Sequence, residues 1–565
     1  MDLCNSSETG GKNSMLLEGC VPFRKEDADL YTAKKWWTGR TYGDLLDKAA
    51  DIYPERPAVV YGQTRLTYLE LREKAEKLAI ALLDLGVKPL DRALVQLPNW
   101  HEFAYVYFGL QKAGIIPVLL IDRYRQYEAN HLCNLVQATA WIVPDVLGKT
   151  DYRPIVSDVL KNNPQTKHVI MTRPQNDCPY HRLDDLVASA VRTDDNLQRL
   201  QDCRPDPSQV AHMGPTGGST GLPKVAPHTH NDLLCNMEYA GAGWELNLHD
   251  ILLVVTPIGH DLTFTKGFTS MLNSCGRVVM LDSTTPKSVC AAIQEHKVTA
   301  LPCVPTLASR LVNFEQLKEY DLSSLQKMYC SGGKNQPELI RAVREKLNCV
   351  FVNAYGSTEG MSTMTRSYYD LDRICRTVGR PTCPYDKYRV IDSDGRELPP
   401  NTEGELVVKG PGVFSGYYMS PKENAITFTP DGFFRSGDLA MIDEKGDIRL
   451  CGRLKDMIKR AGENINAAEV ETLISGHPDV ELVAVVGMPD PEMGERVCAY
   501  IQPRDGAILD FAAIILFLKS SGVSVLQLPE RMEFVAVMPL TKAGKLDKRV
   551  LREDIQSKLQ AEGVV

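Results

Sequence analysis

The sequence predicts an α/β protein. It has a large N-terminal region of helix-covered, mostly parallel sheets with a small β-rich subdomain, followed by a small α+β C-terminal domain. Three observations predict this. Short apolar strand runs alternate with helical patterns through the first two-thirds of the chain. After about residue 385 the pattern changes to short strands separated by turn residues. Beyond Gly452 it becomes mixed, over a stretch of ordinary domain size. The length of 565 residues also exceeds what one core usually serves.

The elements follow in order. Residues 1–16 are polar and rich in Ser, Gly and Asn, which predicts a disordered tail. Tyr42 to Ile52 has a helical pattern, and Ala58 to Tyr61 reads as a strand. Thr67 to Leu85 is a marked helix. Thr67 stands as N-cap with Glu70 three residues on, Leu71, Leu78, Ala79, Leu82 and Leu83 form one face, and Gly86 ends it. Strand runs at Arg92 to Leu97, Ile116 to Leu120, His168 to Met171, Ile251 to Val255 and Arg277 to Leu281 complete the parallel pattern, with a helix at Glu102 to Ala113. The polar segment 190–208 reads as a surface connection. In the β-rich part, strands are expected at Tyr388 to Asp392, Gly404 to Val408 and Asp447 to Leu450. The last domain reads as a helix at Ala467 to Ser475, strands at Leu482 to Val486 and Ala499 to Ile501, a helix at Phe511 to Lys519 and a strand at Arg531 to Val535.

Composition excludes several function classes. A net charge of −8 with no compensating basic block argues against nonspecific nucleic-acid binding. No apolar run reaches the roughly 18 residues of a membrane span, and the N-terminus lacks an apolar signal region, so a cytoplasmic protein without membrane partners is expected. The 15 cysteines include no CxxC pair, which predicts reduced and mostly buried thiols.

Chemistry concentrates in a few stretches. Thr216-Gly217-Gly218-Ser219-Thr220-Gly221-Leu222-Pro223-Lys224 sets turn-forming glycines among hydroxyls and ends on a cation, a composition suited to polyphosphate. A flexible surface loop is an equally good reading of these nine residues alone. The P-loop pattern fails, because Val225 follows Lys224. In Asn353-Ala354-Tyr355-Gly356-Ser357-Thr358-Glu359-Gly360 a strand runs into a turn bearing a carboxylate, suited to Mg²⁺ against phosphate oxygens. Asp438 follows an aromatic pair at a turn and suits a ribose diol. Leu540-Thr541-Lys542-Ala543-Gly544-Lys545-Leu546 puts a lysine on a tight turn near the end of the chain.

In this order the stretches resemble the adenylate-forming superfamily of acyl- and aryl-CoA synthetases, luciferases and adenylation domains, from about Leu17 to Ser557. Within it the chain is most similar to stand-alone aryl-acid AMP ligases. Trp36-Trp37-Thr38-Gly39-Arg40-Thr41, Pro227-His228-Thr229-His230-Asn231-Asp232 and Ile458-Lys459-Arg460-Ala461-Gly462-Glu463 carry that narrower likeness. The resemblance implies two half-reactions: a carboxylate attacks MgATP to give an acyl-AMP, and a thiol of CoA or of a carrier protein's phosphopantetheine then displaces AMP. It implies a large domain over 17–452 with the β-rich subdomain at about 386–452, a hinge at 453–456 and a mobile small domain over 457–565. By motif match, Thr216, Gly217, Gly218, Ser219, Thr220, Gly221 and Lys224 form the phosphate loop. Glu359 holds Mg²⁺ and Thr358 meets the α-phosphate. Gly332, Gly333 and Tyr355 frame adenine, and Asp438 and Arg453 hold the ribose. Lys545 bridges carboxylate and α-phosphate, Lys455 is the hinge, and Gly462 and Glu463 face the thiol acceptor.

At the implied acyl pocket, His260 is followed by Asp261 where aryl-acid ligases usually carry Asn. An ionised Asp only accepts hydrogen bonds, which suits a substrate with an ortho hydroxyl or amino group. Lys266 departs from the small polar residue expected there and is placed to pair with Asp261; in the alternative reading that pair is purely structural. Ala354, Gly356 and Met361 are further pocket candidates. Lys334 and His228 also depart from the family's usual residues, a small one and an Arg. His212, His228 and His230 lack a fourth ligand at a metal-site spacing. A CoA ligase for a cinnamic, heteroaryl or fatty acid, and a luciferase-like monooxygenase, are the alternative activities.

Overall fold

The computed structural model describes residues 16–175, 177–216, 222–460, 463–520, 527–542 and 545–564. The expected tail lies outside them apart from Leu16. Gly217, Gly218, Ser219, Thr220, Gly221 and Gly462 also lie outside.

Two sheets organise the large region. Among the described residues one has nine strands, in the order Arg380–Pro381, Ser362–Met364, Val350–Gly356, Lys327–Cys330, Ala300–Cys303, Ile251–Val254, Arg277–Met280, Pro57–Tyr61 and Thr64–Thr67. Its six central strands are parallel, and the outer ones pair antiparallel. The other has seven, in the order Lys224–Thr229, Val210–Thr216, Ile116–Leu119, Arg92–Val95, Ala140–Pro144, His168–Thr172 and His181–Arg182. All are parallel except the Val210–Thr216/Lys224–Thr229 hairpin, which flanks the glycine-rich stretch.

The largest apolar core lies between these sheets and takes side chains from both. Helix His101–Lys112 runs through it, buried at every position from Glu102 onward. Helix Tyr68–Asp84 starts at the expected capping box, with Thr67 and Glu70 each satisfying the other's backbone N–H. Such a box satisfies two orphan donors of the first turn at once. The surface connection expected over 190–208 is largely exposed but not wholly irregular. The polar segment 190–208 contains a helix, Asp194–Asp202, whose N-cap Thr193 accepts from Asn196 N. Asp194 and Asp195 in its first turn favour it through the helix dipole. Its polarity reflects exposure, with only Leu200 buried.

A four-stranded antiparallel sheet follows: Lys387–Ile391, Gly404–Lys409, Phe434–Ile442 and Ile448–Arg453. The 3₁₀ turn Leu454–Asp456 leads from its last strand into Met457–Arg460, the first strand of a five-stranded sheet. That sheet, built on the long pair Val480–Asp490 and Gly494–Pro503, has separate cores against helices Ala467–Ser475 and Phe511–Ser520 on one side and Lys548–Ala561 on the other. The described cysteines are free thiols. Among the described residues no helix is long and apolar enough to cross a membrane.

Candidate active site

The crevice is a product of topology. Parallel strands end together, and the turns after them form one rim. After Ile251–Val254 come Thr256, Pro257 and His260; after Ala300–Cys303, Val304; after Lys327–Cys330, Gly332 and Gly333. Strand Val350–Gly356 ends in the turn carrying Thr358 and Glu359. The seven-stranded sheet adds Ile121, just beyond Ile116–Leu119.

On the phosphate side, Thr216 is buried at the end of its strand and Lys224 opens the next. Lys224 pairs with Glu423 and lies 4.3 Å from the ring centroid of Tyr417. The Tyr417 hydroxyl donates to Glu359 Oε1 at 2.6 Å, and Glu359 is 9% exposed. Gly360 makes the turn possible. Its φ is +101°, and a Cβ there would stand 2.3 Å from the Gly412 carbonyl oxygen. Among the described residues no group of three His, Cys, Asp or Glu side chains converges as a metal cage. A single buried carboxylate fits Mg²⁺, which usually takes one or two protein carboxylates and completes its shell with phosphate and water.

On the nucleoside side, Tyr355, Asp438 and Arg453 form a chain. The Tyr355 hydroxyl donates to Asp438 Oδ2 at 2.5 Å, and Arg453 Nε lies 2.8 Å from Oδ1. Register explains the second contact, since Asp438 and Arg453 face each other on neighbouring antiparallel strands. Burial raises the Asp438 carboxyl, and Arg453 opposes the rise. A carboxylate has about four acceptor positions, so both contacts leave capacity for a diol.

Lys545 reaches this crevice from the small domain. Its turn is held by the Leu540–Leu546 bridge and by a Thr541 N to Lys545 O bond of 2.6 Å. The residue as a whole is exposed, yet its Cε lies 3.6 Å from where a Cβ on Gly332 would stand. Desolvation and Arg453 lower the pKa of its amine, while Glu359 and Asp438 hold it up. The lysine is therefore within electrostatic reach of both carboxylates. Contacts around it join the two parts of the chain. Lys542 pairs with Glu128, Arg123 Nη1 donates to Lys542 O at 3.2 Å, and Lys334 Nζ donates to Thr472 Oγ1 at 2.6 Å. The last contact gives Lys334 a physical role that the sequence alone did not supply.

A small, largely apolar cavity lies beside Lys545, lined by Ile121, Thr256, Pro257, His260, Leu262, Thr263 and Val304. Burial, and then Lys545, lower His260 to about 4, so its imidazole is neutral at pH 7. Its Nδ1 accepts from Leu262 N at 3.3 Å. Lys266 and Asp261 do pair, at 3.6 Å, as both readings of the two residues expected. Lys266 sits in a π-helical segment, Phe264–Thr269, is 2% exposed, and also donates to Asn236 Oδ1. Asn236 in turn donates to the Gly360 and Gly412 carbonyls. The Asp261 side chain keeps 14% exposure. Of the pocket candidates only His260 lines this cavity; Asp261, Lys266, Ala354, Gly356 and Met361 do not. Ala354 belongs to the large core, and Met361 packs with Val413, Phe414 and Tyr417. Gly356 is closed in, since a Cβ there would meet Met361 O at 2.8 Å. Lys455 lies in the 3₁₀ turn between the sheets, and Glu463 is exposed at the start of a strand paired with Met457–Arg460. Sequence reasoning missed Tyr417 and Asn236, because their partners lie far away along the chain.

A sequence profile described as AMP-binding enzyme matches residues 46–418, and one described as AMP-binding enzyme C-terminal domain matches 469–545. The chain belongs to the AMP-binding enzyme family. It is 36% identical over 547 residues to 2,3-dihydroxybenzoate-AMP ligase of Bacillus subtilis (strain 168), covering 97% of this chain and 99% of that protein. It is 34% identical over 541 residues to the salicyl-AMP ligase / salicyl-S-ArCP synthetase of Mycobacterium tuberculosis, covering 95% and 94%. Among solved structures, ATP-bound MatB from Rhodopseudomonas palustris is similar at 26% identity with a TM-score of 0.80, covering 91% of this chain and 99% of that one. The same protein in its apo form gives 0.71 at the same coverage.

Proposed function

We propose that this AMP-binding enzyme is an ATP-dependent aryl-acid ligase. It activates an ortho-substituted aryl carboxylate, of the 2-hydroxy- or 2-aminobenzoate type, as acyl-AMP with release of pyrophosphate. It then transfers the acyl group to the phosphopantetheine thiol of a carrier protein or of CoA. The observation that carries the reading is Lys545, which reaches from the small domain to Gly332 and the cavity beside His260, within electrostatic reach of Arg453, Glu359 and Asp438.

The roles follow from the chemistry each step needs. Two anions must meet, so charge has to be neutralised where it develops. Lys545 bridges the substrate carboxylate and the α-phosphate, and Thr358 adds a hydroxyl to the same phosphate. Glu359 holds the Mg²⁺, whose charge offsets that of the phosphates when bound. The 216–224 loop, ending at Lys224, holds the leaving pyrophosphate. Asp438 and Arg453 fix the ribose, with Tyr355, Gly332 and Gly333 around adenine. The reaction needs no protein nucleophile, because orientation of bound reactants supplies a large share of the rate. Neutral His260 and the apolar walls beside Lys545 favour a flat ring, and the exposed part of Asp261 favours a donor on it. The higher similarity to ATP-bound MatB than to its apo form supports reading this arrangement as the adenylating one. The turn at 453–456 then serves as the hinge for a second arrangement, in which 457–565 turns Gly462 and Glu463 toward the thiol.

ATP–pyrophosphate exchange tests the reading with 2-hydroxy-, 2-amino-, 2,3-dihydroxy- and unsubstituted benzoates, heteroaryl acids and fatty acids. Exchange with the ortho-substituted acids is expected. Exchange with fatty acids alone overturns the aryl assignment. Adding CoA or a carrier protein then identifies the acceptor.

A further inference from the structure

None of the roles above uses His228. It lies on strand Lys224–Thr229, directly after the glycine-rich stretch, and is 2% exposed. Its Nε2 is 2.6 Å from the Thr358 carbonyl oxygen. A carbonyl only accepts, so Nε2 carries a hydrogen. Its Nδ1 contacts Asp232 Oδ2. The other Asp232 oxygen accepts from Thr229 N at 2.6 Å and from the Thr229 hydroxyl, within the capping box of helix His230–Gly243. A proton lies between Nδ1 and Asp232 Oδ2, and when it rests on Nδ1 the ring is a charged donor in both directions. Burial works against that charge, but Asp232, the Thr358 carbonyl and Asp261 together raise its pKa above the ordinary value. The neighbouring histidines differ. Burial lowers His212 well below the ordinary value and His230 to about 3, so both are neutral. The ring of Phe414 also faces His228.

Thr358 is held from a second side. A Cβ on Gly214 would stand 2.7 Å from its Cγ2. Gly214 and His228 lie on the two strands of the hairpin that flanks the glycine-rich stretch. That hairpin therefore grips the turn carrying Thr358 and Glu359.

We propose that His228 is a positioning residue for adenylation, a buried ring anchored on Asp232 that fixes the Thr358–Glu359 turn relative to the glycine-rich stretch. This rests on the roles given above to Thr358 and Glu359. The effect belongs in turnover and Mg²⁺ use, since His228 does not line the acyl cavity.

The test uses the full chain and whichever carboxylate supports exchange in the wild type. Loss of a buried hydrogen bond that leaves the Thr358 carbonyl and Asp232 unpaired predicts that His228→Ala lowers kcat for exchange about 10- to 100-fold. The Mg²⁺ half-saturation rises, and KM for the acid stays within about threefold. His228→Arg restores kcat to within about fivefold, because its fork can donate to both Asp232 and the Thr358 carbonyl. His228→Gln stays slow, since donating to Thr358 turns its amide oxygen toward the Asp232 carboxylate. Thermal unfolding is measured alongside. If the Ala variant does not fold, the Arg and Gln variants decide between themselves: a fast Arg and a slow Gln variant of equal Tm support the proposal. Equal kcat for those two, or a folded Ala variant with wild-type kcat and Mg²⁺ dependence, overturns it. A wild type that exchanges only with fatty acids sinks the aryl reading and leaves this test intact.

Discussion

The Tyr417 hydroxyl donates to Glu359 Oε1 at 2.6 Å, while the Tyr417 ring supports Lys224 at 4.3 Å. One side chain thus orients the carboxylate proposed for Mg²⁺ and the cation that ends the glycine-rich stretch. Burial and Glu359 raise the phenol pKa, so it remains a donor at any working pH. Tyr417→Phe keeps the ring under Lys224 and removes only the bond to Glu359. A hydrogen bond to a charged group predicts about a 10-fold or greater fall in kcat/KM for MgATP, with KM for the acid unchanged. Pyrophosphate exchange titrated with Mg²⁺ checks this. An unchanged Mg²⁺ dependence would remove Tyr417 from the site's support.

The contacts that bring Lys545 into the crevice are separable from Lys545 itself. Lys334 donates to Thr472, and Lys542 pairs with Glu128. Lys334→Ala and Glu128→Ala should each slow adenylation about two- to tenfold, the range of a single partly exposed hydrogen bond. Thioester formation from a supplied aryl-adenylate should stay at the wild-type rate. Lys455→Pro stiffens the turn Leu454–Asp456 and should act in the opposite sense, slowing thioester formation more than adenylation. Half-reaction kinetics on the three variants check both directions; equal losses in both steps would contradict a two-arrangement cycle.

Asp386 gives the folded state a pH dependence. Burial pushes its carboxyl up to about 7, against help from the Gly412 N–H and Lys266. The unfolded chain releases this proton near the ordinary value of about 3.9. Between those pH values the folded state binds more protons, so stability falls as pH rises and levels off above about 7. Asp386→Asn removes the effect. Its stability relative to wild type should grow by about 1.4 kcal/mol per pH unit from pH 5 to 7 and then stay constant. Chemical unfolding at several pH values measures it, and parallel curves for the two proteins would refute the assignment.

Much of this fold was legible because its signals are local. The Thr67–Glu70 capping box and the apolar face behind it mark helix Tyr68–Asp84 within a few residues. The strand ends carrying Gly332 and Glu359 follow from parallel topology. Helix Asp194–Asp202 escaped because only Leu200 is buried, which leaves no apolar face to find. In the site, the motifs named the residues but not their contacts. Tyr417 with Glu359 is 58 positions apart, and Lys334 with Thr472 is 138. No local pattern encodes such pairs. Lys266 was noticed as a departure, but its burial depends on the π-helical register of Phe264–Thr269, which periodicity does not reveal. Met361, expected at the pocket, packs with Val413, Phe414 and Tyr417, because a residue next to a turn can still point into a core.

In the proposed cycle the small domain delivers Lys545 for adenylation alone. Single-turnover kinetics of Lys545→Ala, with both half-reactions measured on one preparation, tests it most directly. The account predicts that acyl-AMP formation falls at least about 100-fold, the scale of losing a preorganised charge in the transition state. Thioester formation from supplied aryl-adenylate should remain within about threefold of wild type. Equal loss in the two steps, or adenylation that survives the substitution, would contradict it.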